Sequence, residues 1–328
     1  MGIARQLSIK ALVLAANAWR PVWLLKLVRG IYQRTDGRIG LLQDPDTVRR
    51  LLPGLLRPRT GHTVDMRIVA GARMQLDLDD HIQYRTFMDG YFDLVPLLLA
   101  ERLCDSTTAY LDVGANIGST AIPTAARGIP TIAIEAAPAI LATLYANIAL
   151  NPGLRITVLG VAAGDRDGDS VRIYPGPAAN TGTTSLFPQW ASDRTAHDGN
   201  EVRMFRLDTL LGWLHPGPVG FVKIDVEGAE ALVLRGGRGL LSNQAPAVLF
   251  EHRTDVASQA GMGVADVAAL FPQGYAFFGI RLRKHRGKRP ALQLEAFDPG
   301  HAYENVLALH GEKPAHQAML AALQADAA

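Results

Sequence analysis

The sequence predicts an α/β protein built on a doubly wound, largely parallel sheet, and three observations carry that reading. From Ala109 onward short apolar runs alternate with longer helical ones, in the order "AYLDVG", "STAIPTAARG", "TIAIEA", "PAILATLYANIALN", "ITVLGVAA". Strand, helix, strand in repetition is the pattern of a parallel sheet with helical crossovers. The first of these strands breaks into Gly114, Asn116 and Gly118 ahead of its helix, as a tight turn at a ligand crevice does. The chain is also long enough, since 328 residues with 48% hydrophobic content can bury one large α/β domain with additions.

Taken in order, residues 1 to about 60 read as a helical extension broken at Pro21, Asp36-Gly37 and Pro53-Gly54. Within it, residues 8–32 mix Lys10, Arg20, Lys26 and Arg29 with Trp19, Trp23 and many leucines. A helix packed on its own domain or on a second subunit is the first reading; a basic amphipathic helix in peripheral contact with a membrane is the second. A secretory signal is disfavoured because apolar character continues past the cleavage-like Ala16-Asn17-Ala18. Residues 61–108 lead into the core. "HTVDMRIVAGARMQLDLDD" alternates around a glycine turn and predicts a hairpin, and "YFDLVPLLLAERLCD" predicts a helix capped by Asp93 with Pro96 in its first turn.

The core domain is assigned to 109–312. It is interrupted at about 171–206, where "SVRIY" and "EVRMFRL" read as paired strands of a hairpin insertion around a polar loop. Alternation resumes with a helix after Leu207-Asp208, the strand "VGFVKIDV", the helix "GAEALVLRGGRGLL" and the strand "AVLFEH". A helix at about 256–270 and the strands "YAFFGIRL" and "NVLALH" complete the sheet, and 313–328 form a terminal helix or tail.

Composition excludes several classes. Lys plus Arg is 33 against 31 for Asp plus Glu, and a net charge of +2 gives no general electrostatic case for nucleic acid. Cys104 is the single cysteine, which rules out an intrachain disulfide framework and a Cys-rich zinc site and fits a cytoplasmic, reducing setting. Its apolar helical context predicts a buried thiol rather than a nucleophile. No stretch reaches the roughly 18 apolar residues of a spanning helix.

The glycine loop departs from the dinucleotide pattern at one informative place. Where Gly-x-Gly-x-x-Gly has its second glycine, this chain has Asn116, whose side chain takes the space of a pyrophosphate, and Asp112 at the strand end repels phosphate. The loop therefore suits a nucleoside ligand without phosphates, and S-adenosylmethionine is one. Glu135 ends the next strand, where an acidic side chain accepts both hydroxyls of a ribose.

A second group gathers at neighbouring strand ends. "FVKIDVEGAE" ends its strand with Asp225 and Glu227 before Gly228 opens a helix, and the next strand ends in Glu251 and His252. Ionisable groups held together at adjoining strand ends are costly without a task or a cation.

Together, "LDVGANIGST", "IAIEAAPAILATLYANIALN", "LDTLL", "VKIDVEGAEALVLRGG" and "VLFEH" resemble the FkbM family of S-adenosylmethionine-dependent methyltransferases, from about residue 80 to 252. The resemblance implies a Rossmann-like, seven-stranded methyltransferase sheet with its last strand antiparallel. It implies O-methylation of hydroxyls on sugars, glycolipids or secondary metabolites. By motif, Asp112, Gly114, Asn116, Gly118 and Glu135 are expected to contact the cofactor, with Asp225 and Glu227 beside the methyl group. Two departures are "GYFD" where the family often has a glutamate, and "IEAAP" where "FEP" is usual.

An alcohol gives up its proton only to a base or beside a metal. His252 is read as the base with Asp225, Glu227 and Glu251 orienting the hydroxyl; a magnesium or manganese ion shared by Asp225 and Glu251 is the second reading. From another class, a non-catalytic nucleoside-binding or membrane-docked accessory protein stays open. The run "RLRKHRGKRP" reads as a solvated turn, or as a clamp for an anionic acceptor.

Overall fold

The computed structural model describes residues 29–30, 63–78, 80–176, 182, 184–187, 199–251, 263–283, 290–298, 303 and 305–327. The helical extension (Arg29 and Gly30 apart), most of the polar insertion loop, His252 and Lys284 to Arg289 lie outside the described residues. Contacts divide the chain into two units, one running to Val69 and from Arg73 to Phe92, the other comprising Ala70–Ala72 and Asp93 onward.

In the first unit, β1 (Thr63–Arg67) and β2 (Arg73–Asp77) form an antiparallel hairpin. It turns at Ala70 and Gly71, both at positive φ, which is why a glycine serves there. Val64, Met74 and Leu76 alternate inward and are buried. Helix α1 (His81–Asp89) follows, its start capped by the Asp80 carboxylate accepting from the Gln83 amide at 3.0 Å and its end by Gly90 in the left-handed region.

The second unit opens with α2 (Val95–Leu103), where Asp93 accepts from the Val95 amide at 2.8 Å and Pro96 occupies the first turn, as predicted. The core then runs β3 (Ala109–Val113), α3 (Ala121–Ala126), β4 (Thr131–Ile134), α4 (Pro138–Ala149) and β5 (Ile156–Leu159). After β6 (Ala162–Gly164), β7 (Ser170–Ile173), β8 (Asn200–Arg206) and α5 (Leu207–Leu214), it resumes with β9 (Val219–Ile224), α6 (Glu230–Gly236), α7 (Arg238–Asn243) and β10 (Ala247–Glu251). It closes with α8 (Val264–Ala268), β11 (Tyr275–Arg283), β12 (Ala291–Ala296), β13 (Asn305–His310) and α9 (Pro314–Ala327).

The main sheet has the order β12-β11-β13-β10-β9-β3-β4-β5. Strands β5, β4, β3, β9 and β10 are mutually parallel, and the last strand β13 inserts antiparallel between β10 and β11. This is the expected Rossmann-like methyltransferase arrangement, with one addition. Strand β12 pairs antiparallel with β11 and makes an eighth strand at the edge. Of its six residues "ALQLEA" Leu292 is buried and the others are partly or fully exposed, so the strand lacks the continuous apolar run by which the central strands are read. A second difference lies in "ITVLGVAA", expected as one strand. The chain leaves the main sheet after Leu159, and β6 joins β8 and β7 in a separate three-stranded sheet, parallel to the first and through it beside the antiparallel arms of the insertion.

Burial on both faces explains the near-unbroken apolar strands. All five residues of β3 are buried, and Tyr110 stacks on Phe221 of β9 with ring centroids 5.3 Å apart. One face packs Leu111, Val222, Val248 and Phe250 against α6 and α7; the other packs Tyr110, Phe221, Leu249 and Leu307 against α2 and α9. Each such side chain contributes about 1.5–3 kcal/mol on burial. The Cys104 thiol donates to the Ala109 carbonyl, and burial, with Asp105 adding to it, pushes its pKa up to about 12, so the thiol is inert. No helix among the described residues is long and apolar enough to cross a membrane.

Candidate active site

The carboxyl ends of β4, β3, β9 and β10 lie side by side in the sheet, because Val113 is level with Ile134 and Ile224, and Ile224 with Phe250. The residues just beyond therefore share one edge: Glu135, Gly114, Asp225 and Glu251. Ligands of open α/β sheets bind at such an edge.

The glycine loop is shaped by its own packing. Gly114 has φ 80, and a Cβ there would stand 1.8 Å from the Asp225 carbonyl oxygen, so the loop and the end of β9 touch backbone to backbone. Gly118 has φ 91, and a Cβ would meet Ile122 and Leu144 within 3 Å. Asn116 adopts φ 50, and its side-chain oxygen accepts from the Ile117 amide at 2.7 Å. A short polar side chain that bonds its own backbone tolerates this left-handed conformation.

Glu135, 7% exposed, ties the loop to the next helix. One carboxylate oxygen accepts from the Asn116 amide at 2.9 Å and the other from the Ala137 amide at 2.8 Å. Burial pushes its pKa up, and these amides oppose the shift.

Asp112, expected to contact the cofactor, lies in β3 beside Lys223. It has no exposed surface; one oxygen accepts from the Thr120 hydroxyl at 2.5 Å and the other faces the Lys223 ammonium at 3.4 Å. Lys223, buried beside it, supplies the counter-charge that a buried carboxylate needs. Lys223 also lies 3.0 Å from Asp225 and donates to the Gly114 carbonyl at 3.3 Å. Burial pulls the ammonium's pKa down, but Asp225 and Asp112 outweigh it and hold the pKa above the ordinary lysine value. Lys223 thus links β3, the glycine loop and the acidic end of β9.

Asp225, Glu227 and Glu251, all half-buried, come together, with one carboxylate oxygen from each within 4.8 Å of the others. Burial, then the charges of Asp225 and Glu227, push the pKa of Glu251 strongly up. The backbone of the turn is held from several sides. The Asp225 amide donates to the Val113 carbonyl at 3.0 Å, and the Glu230 carboxylate accepts from the Val226 and Gly228 amides at 3.3 and 3.2 Å. Glu227 sits at φ 50, and the Ser185 hydroxyl donates to its carbonyl at 2.7 Å. Burial pushes the Glu230 carboxyl up to about 7.

Such a cluster can accept a proton from a hydroxyl or hold a hard divalent cation. Of the residues expected from sequence, Gly114, Asn116, Gly118, Glu135, Asp225, Glu227 and Glu251 converge, Asp112 supports from within, and His252 lies outside the described residues. Lys223, Thr120, Glu230 and Ser185 were not expected. Lys223 did leave a signal, as a lone charge inside the apolar strand "VGFVKIDV".

The model of the methyltransferase FkbM domain matches residues 112–286, a little over half the chain and a span that holds every one of these site residues. No curated protein matches. Among solved structures, methyltransferase FkbM from Methylobacillus flagellatus is similar at 20% identity and a TM-score of 0.36, over 62% of this chain and 44% of that one. The matched part thus spans less than half of that protein's length. A SAM-dependent methyltransferase from Agrobacterium tumefaciens matches at 11% identity and a TM-score of 0.41, over 78% of this chain and 72% of that one. An O-methyltransferase from Bacillus cereus, solved in complex with SAH, matches at 12% identity and a TM-score of 0.35, over 66% and 78%.

Proposed function

This chain belongs to the FkbM family of methyltransferases, and from that premise we propose that it transfers a methyl group from S-adenosylmethionine to a hydroxyl of a sugar, glycolipid or secondary metabolite. The observation that carries the oxygen-directed part is the gathering of Asp225, Glu227 and Glu251 at one sheet edge. A hydroxyl must be oriented and must lose its proton as it attacks, and this cluster offers carboxylates to orient it beside His252, the next residue in the chain after Glu251.

The residues present fit the cofactor. Glu135 stands at the end of β4 with each oxygen held by one amide, and a carboxylate oxygen held once can accept again from a ribose hydroxyl. Gly114, Asn116 and Gly118 form the loop beneath the nucleoside, and Asp225 lies beside the reacting end. When bound, S-adenosylmethionine supplies an electrophilic methyl group on a sulfonium. The chain's own residues do the rest. Asp112 holds Lys223, Lys223 pairs with Asp225 at 3.0 Å, and Asp225 with Glu227 orients the acceptor hydroxyl. Its proton goes to His252, the residue after Glu251.

The crowding of three oxygen donors favours a second reading, a magnesium or manganese ion on Asp225 and Glu251 that acidifies the hydroxyl. One experiment addresses both. Transfer of labelled methyl from S-adenosylmethionine is measured on a panel of sugars, glycolipids and small hydroxylated metabolites for wild type, His252→Ala and Asp225→Asn, with and without chelator. Loss of a general base lowers the rate about 100- to 10,000-fold and spares cofactor binding. Silencing of the wild type by chelator would assign the metal reading; label found only on nitrogen or sulfur would overturn the oxygen-directed one.

A further inference from the structure

Ser185, between β7 and β8, reaches the site. Tyr174 and Ser185 exchange backbone hydrogen bonds of 2.8 and 3.0 Å, an antiparallel bridge just beyond β7. That bridge places Ser185, which is 2% exposed, with its hydroxyl accepting from the Phe187 amide at 3.2 Å and donating to the Glu227 carbonyl at 2.7 Å. The contact joins positions 42 residues apart in sequence. It falls where the chain most needs holding, since Glu227 at φ 50 and Gly228 at φ 97 are consecutive left-handed residues, and only the second is a glycine. A left-handed glutamate persists when its surroundings over-determine it. Here Glu230 holds the amides on either side of Glu227, and Ser185 holds its carbonyl.

We infer that Ser185 is a positioning residue: its hydroxyl fixes the backbone of Glu227 and thereby sets where the Glu227 carboxylate stands, so that the segment after β7 becomes part of the acidic side of the site. The direction in which Glu227 acts rests on the methyl-transfer reading; the tether itself does not. Loss of the hydroxyl removes one restraint on a strained peptide and lets the carboxylate swing. A carboxylate placed near a sulfonium favours the charged cofactor over its neutral product, so the ratio of the two affinities reports its position.

The experiment uses the full chain as wild type, Ser185→Ala, Glu227→Gln and the double variant. Affinities for S-adenosylmethionine and S-adenosylhomocysteine are measured by calorimetry, and hydrogen exchange is followed at residues 226–229. Each single variant is expected to lower the preference for the charged cofactor by about fivefold, the scale of a partly screened charge pair. The double variant is expected to lower it no further, because the serine acts through the glutamate. Exchange at 226–229 should quicken in Ser185→Ala. Additive losses would overturn the inference, and so would faster exchange with an unchanged ratio, which marks a merely structural serine. An unchanged ratio in Glu227→Gln removes the carboxylate from the reacting end and the inference with it. A wild type that binds neither compound defeats the methyl-transfer reading instead, and unchanged exchange in Ser185→Ala then defeats the tether separately.

Discussion

The glycine loop with Glu135 and the acidic turn with Glu251 stand side by side at one sheet edge, yet they treat negative charge in opposite ways. On the loop side each carboxylate is answered by donors: two amides for Glu135, a hydroxyl and an ammonium for Asp112. On the turn side Asp225, Glu227 and Glu251 bring one carboxylate oxygen each within 4.8 Å of one another, and Lys223, which also faces Asp112, lies 3.0 Å from Asp225. The first arrangement fixes geometry in advance. The second brings carboxylates close to one another, and burial first, then the charges of Asp225 and Glu227, push the pKa of Glu251 up. A rigid half for holding and a charged half for chemistry can thus sit within one loop's reach.

The strongest way to break the contrast is to strike both halves together. Gly114→Ala places a methyl group 1.8 Å from the Asp225 carbonyl oxygen at a positive φ, and it is expected to cost about 3 kcal/mol or more of stability by overpacking and backbone strain. Thermal and denaturant unfolding measure it; an unchanged midpoint would mean that the loop and the turn do not bear on each other.

Next in size is a change confined to the loop half. Glu135→Ala removes the acceptor for a ribose and should lower S-adenosylhomocysteine affinity by about 1.5–3 kcal/mol. Calorimetry gives the number, and full affinity in this variant would take the ribose contact away from Glu135.

The smallest effect belongs to the turn half and appears as pH dependence. Glu230 has its pKa raised to about 7 in the folded chain from an ordinary 4.5. The folded state therefore binds its proton more tightly than the unfolded state, so the contribution to stability is full below pH 4.5 and is lost as pH rises through 7. Glu230→Gln keeps an oxygen for the Val226 and Gly228 amides and removes the titration. Its melting temperature should fall less than that of the wild type between pH 5 and 7.5, by roughly 1–2 kcal/mol of stability, discounted because the side chain is only half-buried. Parallel curves for the two proteins would show that Glu230 does not titrate in this window.

What could be read in advance follows the physics of range. Strand and helix periodicity are local, so the order of the core and the glycine loop were legible from "AYLDVGANIGST" and its successors, while the antiparallel last strand was implied by the family resemblance. Glu135, Asp225 and Glu251 were legible too, because a parallel sheet carries all its strand ends to one edge. The pairing of Asp112 with Lys223 was not, since it depends on a residue over a hundred positions later on another strand. Ser185 lies in a polar stretch with no periodicity, and nothing local tells that its hydroxyl ends on Glu227. Strand β12 escaped because an edge strand of mixed exposure has no continuous apolar signature, and the split of "ITVLGVAA" between two sheets is a tertiary choice made between Leu159 and Ala162.

The contact between Gly114 and the Asp225 carbonyl also bears on how such a chain can change over generations. Two crossovers that meet backbone to backbone leave no side chain through which one could be adjusted against the other. Descendants that take a new acceptor are freer to change exposed side chains of the outer strands. They are not free to alter residue 114 alone, and any shift in the path of the chain at 225 must be matched by one at 114. Variation in this architecture is therefore expected to accumulate at the rim of the crevice, with its floor inherited as a single piece.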